Sequence, residues 1–412
     1  MSKVVEAKRL PKLCARCGRP LPLESDECLN CGVTSSRSYR RSTVIAIWVL
    51  CSIGLFAVAD VVSRAYEIKR EVLAERWFER GRHALQVSQP ETAIADFRDA
   101  LAYSPHNTQY RLQLAEALLA AGRMQEARDY FESLWQERPS DGRVNLALAR
   151  LHAQRGDLPG SLRYYHGAIY GEWEENPIRR RQEVQLELVK FLLQNKAKAQ
   201  AQSELQELAQ EAPNDVDLHL QIAELFGQAG DFADELQESR KVIRLEPDNS
   251  ASLRAAGEAA FQLGQYRTAE EHLRRALEHN RNDEKSTALL DKVRLILAAN
   301  PYGRGVTFRE RQRRIIQAFT AAGARLQSCA QQRGEGLNVE TATTDLQKLY
   351  EEWSDLSPGM NERILRQQPD LADNAMDLVF RIEEKTKSLC GAPTGVDEAL
   401  LLIGENREGA RQ

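Results

Sequence analysis

An all-α fold, built from helix-turn-helix units stacked into a solenoid, is predicted by a column of small residues that returns every 34 positions. It runs through Gly81, Ala115 and Ala149, and again through Val189, Ala223 and Gly257. Two further observations add parts outside the solenoid: paired Cys-x-x-Cys motifs near the start, and a nineteen-residue apolar run after them. Together they divide the 412 residues into a four-cysteine ribbon with a basic flank at 1–42, a transmembrane helix at 43–63, a helical linker at 64–73, six repeat units at 74–283 and a C-terminal helical cap at 284–412.

The first part carries most of the charge asymmetry. Residues 1–43 hold 9 basic and 4 acidic groups, while the whole chain sums to −4, so the remainder is −9. A globally basic nucleic-acid binder is excluded, and 42% hydrophobic residues argue against disorder throughout. Cys14-Ala-Arg-Cys17-Gly18 recurs as Cys28-Leu-Asn-Cys31-Gly32 across a ten-residue connection. Four thiolates at this spacing close a tetrahedron around Zn²⁺, and the ion supplies folding energy that so short a segment lacks. A glycine after each pair suits a left-handed backbone that turns amide N–H groups toward sulfur. Two disulfides or a redox pair are the alternative, but no βαβ pattern surrounds the motifs. The stretch at 13–33 resembles the small zinc ribbons at the head of many bacterial membrane proteins. Arg16, Arg19, Arg37, Arg40 and Arg41 lie nearby, yet four thiolates with one zinc add −2 and no aromatic platform is interleaved, so nucleic acid is not the expected partner.

The apolar run VIAIWVLCSIGLFAVADVV, Val44 to Val62, contains one charge, Asp60 near its end. Nineteen helical residues span ~28 Å of a ~30 Å hydrocarbon layer. Arg37, Arg40 and Arg41 precede it closely, which places the ribbon in the cytoplasm and everything beyond residue 63 across the membrane. In a bacterium this is the inner membrane, with the repeats in the periplasm. Ala57-Val58-Ala59 has the form of a signal-peptidase site, but a secretory leader runs only about 15–30 residues in total, so an uncleaved anchor is expected. No Gly or Pro interrupts Leu55 to Arg80, so the membrane helix is expected to run into the first repeat without a break.

In the repeats, a second column keeps the phase of the first: Ala93, Ala127, Ser161, Ala201, Glu235 and Ala269. A third holds Phe97, Phe131, Tyr165, Leu205, Ser239 and Leu273. Prolines at 105, 139, 213 and 247 close units, and glycines at 122, 156, 230 and 264 fall at turns. The pattern resembles the tetratricopeptide repeat; six extra residues around Glu175-Asn176-Pro177 separate the third and fourth units, and the fifth departs at Glu235 and Ser239. The resemblance implies a concave wall made by the first helix of each pair. In the family's register it carries Glu75, Glu79 and Arg82, Gln113 and Glu116, Arg143 and Arg150, Glu187 and Lys190, Gln221 and Glu224, and Arg254 and Glu258. Such a wall binds a protein or peptide. The Lys and Asn arrangement by which chaperone-docking members clamp a terminal carboxylate is missing.

The cap begins with Lys285 to Ala299, stopped by Asn300-Pro301. Phe308, Ile315, Phe319, Ala322, Leu326 and Cys329 then mark the buried stripe of a helix, and further helices are expected near Val339–Leu356 and Leu371–Cys390, with Gly391 as a stop. Cys329 and Cys390, in an oxidising compartment, are expected to form a disulfide, with two buried free thiols as the alternative. The basic runs at Arg179–Arg181 and Arg309–Arg314 read as exposed helical faces. Seven histidines are scattered without a His-Glu-x-x-His or Cys-His pairing, so no enzyme is expected. The sequence thus points to a membrane-anchored scaffold with structural zinc. Two rivals are a transmembrane regulator whose ribbon contacts nucleic acid or a cytoplasmic protein, and a catalytic accessory built on the last 110 or so residues.

Overall fold

The computed structural model describes residues 13, 14, 16–22, 25, 27–33, 37–337 and 342–409. It forms two compact units, Met1–Pro139 and Ser140–Gln412. All regular structure among the described residues is helical, apart from isolated bridges.

In the first unit, α1 (Arg37–Gln86) is one unbroken helix of 50 residues. It contains both the apolar run and the first helix of the first repeat. Residues 43–69 are all exposed, whereas Ala74 and Phe78 are buried against the repeat. This is the one helix among the described residues long and apolar enough to cross a membrane. Pairing continues with α2 (Pro90–Tyr103), α3 (Thr108–Ala120) and α4 (Met124–Glu137). The close approach the small-residue column implies is seen at Gly81, where an added Cβ would lie 2.6 Å from the Phe97 ring. Phe78 also stacks on Tyr110 at 4.6 Å, tying α1 to α3.

The second unit contains four further pairs: α5 (Gly142–Gln154) with α6 (Leu158–Ile169), α7 (Pro177–Gln194) with α8 (Lys198–Glu211), α9 (Val216–Ala229) with α10 (Phe232–Leu245), and α11 (Ser250–Gln262) with α12 (Tyr266–His279). Asp141, Asp215 and Asn249 cap their helices by accepting first-turn N–H groups. Gly257 repeats the logic of Gly81, with an added Cβ 2.6 Å from Leu273. All eighteen positions of the three periodic columns are buried, including the two departures, Glu235 and Ser239. The turn glycines 122, 156, 230 and 264 are left-handed, and the same position in the first and fourth pairs is held by Ser88 and Lys196 at φ 58° and 60°.

The insertion between the third and fourth pairs folds back on the start of α5. Glu172 exchanges backbone hydrogen bonds with Ser140 and Gly142, and the Trp173 ring covers Gly142, where a Cβ would come within 2.4 Å. Arg181 reaches the Ile169 carbonyl at 3.0 Å, so the 179–181 run is not wholly a solvated face.

After α13 (Glu284–Ala299) come α14 (Phe308–Gln332), α15 (Asp345–Leu356), a 3-10 turn at Ser357–Gly359, α16 (Glu362–Gln367), α17 (Pro369–Cys390) and α18 (Val396–Gly409). The helix expected from Val339 starts instead at Asp345, because Thr344 and Gln347 form a capping box; residues 338–341 lie outside the described residues. Two helices were not expected, α16 and α18. The second returns to the repeats: Tyr266 donates to the Leu402 carbonyl at 3.4 Å and Asn406 to that of Gly264 at 3.1 Å. Arg314, from the run read as exposed, is largely buried and caps α13 by donating to the carbonyls of Leu297 and Asn300 at 2.8 Å each. Cys329 and Cys390 are joined, with a Cα–Cα separation of 5.7 Å, pinning α14 to the end of α17.

Candidate functional site

Three places carry chemistry. At the cysteine pairs, two tight turns present the thiols: Gly18 N–H donates to the Cys14 carbonyl at 2.9 Å and Gly32 N–H to that of Cys28 at 2.8 Å, with Gly18 and Gly32 at φ +68° and +67°. All four sulfurs lie within 4.8 Å of one another, and the Cys14–Cys31, Cys17–Cys28 and Cys17–Cys31 separations are 3.5, 3.5 and 3.7 Å. A disulfide needs about 2.05 Å. Four sulfurs at about 2.3 Å from one ion stand about 3.8 Å apart along each edge of a tetrahedron. The cluster therefore fits a four-coordinate metal and not two bridges. Its environment prepares thiolates: the backbone N–H groups of Arg16 and Cys17 pull Cys14 down to about 6, and that of Asn30 lowers Cys28. Cys31, bonded to the sulfurs of Cys14 and Cys28, is pushed up to about 12. That is a proton retained among crowded sulfurs, which a divalent ion would displace.

The second place is the face of the first helices. In the first unit, Tyr110 donates its hydroxyl to Glu75 at 2.8 Å; burial, then the Glu75 carboxylate, push this phenol up to about 12. Glu79 pairs with Arg82 at 2.8 Å, and Gln113 donates to Glu116 at 2.7 Å. In the second unit, Arg150 grips Glu187 with two hydrogen bonds of 2.8 and 2.7 Å, joined by the Tyr165 hydroxyl at 2.9 Å. Burial opposes ionisation there, but Arg150 holds the Glu187 carboxyl below its usual range. Arg254 reaches Glu258 at 3.6 Å and Asp283 at 3.7 Å. Lys190, Gln221 and Glu224 are exposed, and Arg143 is half-buried. At least nine of the thirteen residues of the sequence-derived wall are thus engaged in bridges between or along helices.

The third place escaped sequence reading: the α9/α10 pair buries a cluster of polar side chains among its apolar ones. His219 and Glu238, both buried, meet at 2.7 Å, and Lys241 closes on Glu238 at 2.7 Å. The signal was present in the Glu235 and Ser239 departures from the columns, but their consequence depends on which groups face them.

Together these features describe a helical-repeat protein with four thiols placed to hold one metal ion. Tetratricopeptide repeat profiles match residues 78–141 and 118–166, so this part of the chain carries tetratricopeptide repeats. No curated protein matches the chain. Among solved structures, the Pseudomonas aeruginosa pilF protein is similar at 16% identity over 54% of this chain and 99% of its own, with a TM-score of 0.37. PilW, described as a type IV pilus biogenesis factor, is similar at 17% identity over 53% and 98%, TM-score 0.36. YrrB, described as having an unusual peptide-binding site, is similar at 14% identity over 47% and 96%, TM-score 0.37. At identities and overlaps of this order, none of them bears on what the chain does.

Proposed function

We propose that the protein is a single-pass membrane scaffold that binds a protein or peptide along the first-helix face of its repeats, with structural zinc held by Cys14, Cys17, Cys28 and Cys31 on the cytoplasmic side. The observation that carries the binding role is the contrast between faces. Columns repeating every 34 residues are buried without exception, while Lys190, Gln221 and Glu224 on the first helices stay open to solvent. Support for anchoring comes from α1, whose residues 43–69 are all exposed, the apolar Trp48, Leu50, Leu55 and Phe56 among them at 68–77%. Because α1 runs on into the first repeat, the anchor and that repeat share one rigid rod. Zinc would supply folding energy to the ribbon and no chemistry beyond it.

A photo-crosslinking residue at Lys190 or Glu224, compared with one at exposed Arg240 on α10, tests the scaffold role in intact cells. A discrete adduct from the first-helix positions only is expected; equal adducts from all three, or none, would overturn it. Protease added to spheroplasts should digest the repeats and spare the ribbon.

A further inference from the structure

Five of the six pairs place Ala or Ser at the start of the second helix, at residues 93, 127, 161, 201 and 269; the α9/α10 pair places Glu235 there. The packing therefore does not call for a carboxylate, and a small side chain suffices at every equivalent position. Glu235 is 6% exposed, and among the described residues no donor reaches its carboxylate. Room for it is made on the opposing helix by Gly227, itself only half-buried, where an added Cβ would sit 2.8 and 2.9 Å from the two carboxylate oxygens. The charge thus rests against bare backbone on the first-helix side of the pair.

A second carboxylate on the next first helix, that of Glu258 on α11, repels Glu235. Burial, followed by that repulsion, pushes Glu235 up to about 7, and burial also raises Glu258. Arg254 approaches Glu258 at 3.6 Å but is shared with Asp283, so Glu235 itself has no counter-charge. A buried charge without a partner is costly, and a ligand that brings the opposite charge removes that cost.

We infer that Glu235 and Glu258, opened by Gly227, form a receptor for one cationic side chain, lysine or arginine, of a peptide lying on the first-helix face. The inference rests on the scaffold reading and names the partner chemistry. A single ammonium or guanidinium supplies the missing counter-charge, which neither a neutral nor an acidic side chain can do.

The test uses the full chain in detergent micelles and three probes: acetyl-trilysine amide, trialanine with a free amino group, and acetyl-triglutamate amide. Binding is followed by titration calorimetry at low salt, with melting temperature as the fold control. Acetyl-trilysine amide is expected to bind the native protein and to bind Glu235→Ala and Glu258→Gln at least tenfold more weakly, while the exposed-charge control Glu211→Gln is unchanged. Glu235→Ala is expected to melt at the same temperature or higher, since it restores the repeat's own small residue. Equal affinity in Glu235→Ala, an equal loss in Glu211→Gln, or no binding to the native protein would overturn the site. Preference for free-amine trialanine would overturn the side-chain assignment in favour of a chain terminus. Should crosslinking at Lys190 still capture a partner while trilysine affinity ignores Glu235, the scaffold reading stands and this receptor falls.

Discussion

Replacing Glu383 by Gln isolates a charge that the C-terminal helices bury without a partner. Glu383 on α17 is 0% exposed, and neither carboxylate oxygen has a hydrogen-bond partner. Burial, then the Asp397 carboxylate at the start of α18, push it up to about 8; Arg325 on α14 opposes this but donates instead to the Gly391 carbonyl at 2.9 Å. The folded protein therefore holds a proton that the unfolded chain releases near its ordinary 4.5. The stability this proton provides is complete below pH 4.5 and is lost as pH rises through 8. At about 1.4 kcal/mol per pH unit, the loss across that window is about 3 to 5 kcal/mol. Glutamine mimics the protonated form and cannot ionise. Urea unfolding of the detergent-solubilised chain at pH 5, 6.5 and 8, followed by tryptophan fluorescence, reads the difference; Trp353, stacked on Phe319 at 5.4 Å, reports from this end. The two proteins should match within about 1 kcal/mol at pH 5, with the variant several kcal/mol more stable at pH 8. A gap independent of pH, or one that closes as pH rises, would refute the buried, unpaired assignment.

Other consequences are simpler to state. Gly81→Ala should destabilise the first pair by about 1–3 kcal/mol, seen as faster hydrogen exchange in α1 and α2, and Phe97→Leu in the same chain should recover part of the loss. Gly in place of Ser88 or Lys196 should stabilise by about 0.5–1 kcal/mol each in urea titrations, because both sit in left-handed backbone. Cys14→Ser or chelation should remove one equivalent of zinc by atomic emission and unfold the ribbon while helical circular dichroism persists; retained metal would contradict the four-sulfur site. Reduction of Cys329–Cys390 should cost about 2–4 kcal/mol, absent in Cys390→Ser, and labelling of Cys329 and Cys390 themselves before reduction, located by peptide mapping, would disprove the bond.

What the sequence alone determined follows from local repetition. When each unit buries its face only against its neighbours, the same contact recurs at a fixed interval, and the interval is visible as Gly81, Ala115 and Ala149 without any structure. Two Cys-x-x-Cys pairs are legible for a similar reason: bringing four sulfurs within reach of one another from two short turns needs fixed spacing. Tertiary structure decided everything whose partner lies far along the chain. That α18 returns to Gly264 and Tyr266, 142 and 136 residues away, leaves no periodic trace. Nor does a carboxylate announce its own environment: Glu235 and Glu383 are written with the same letter as the exposed Glu224, and only the faces of the helices packed against them set which one loses its water and its counter-charge.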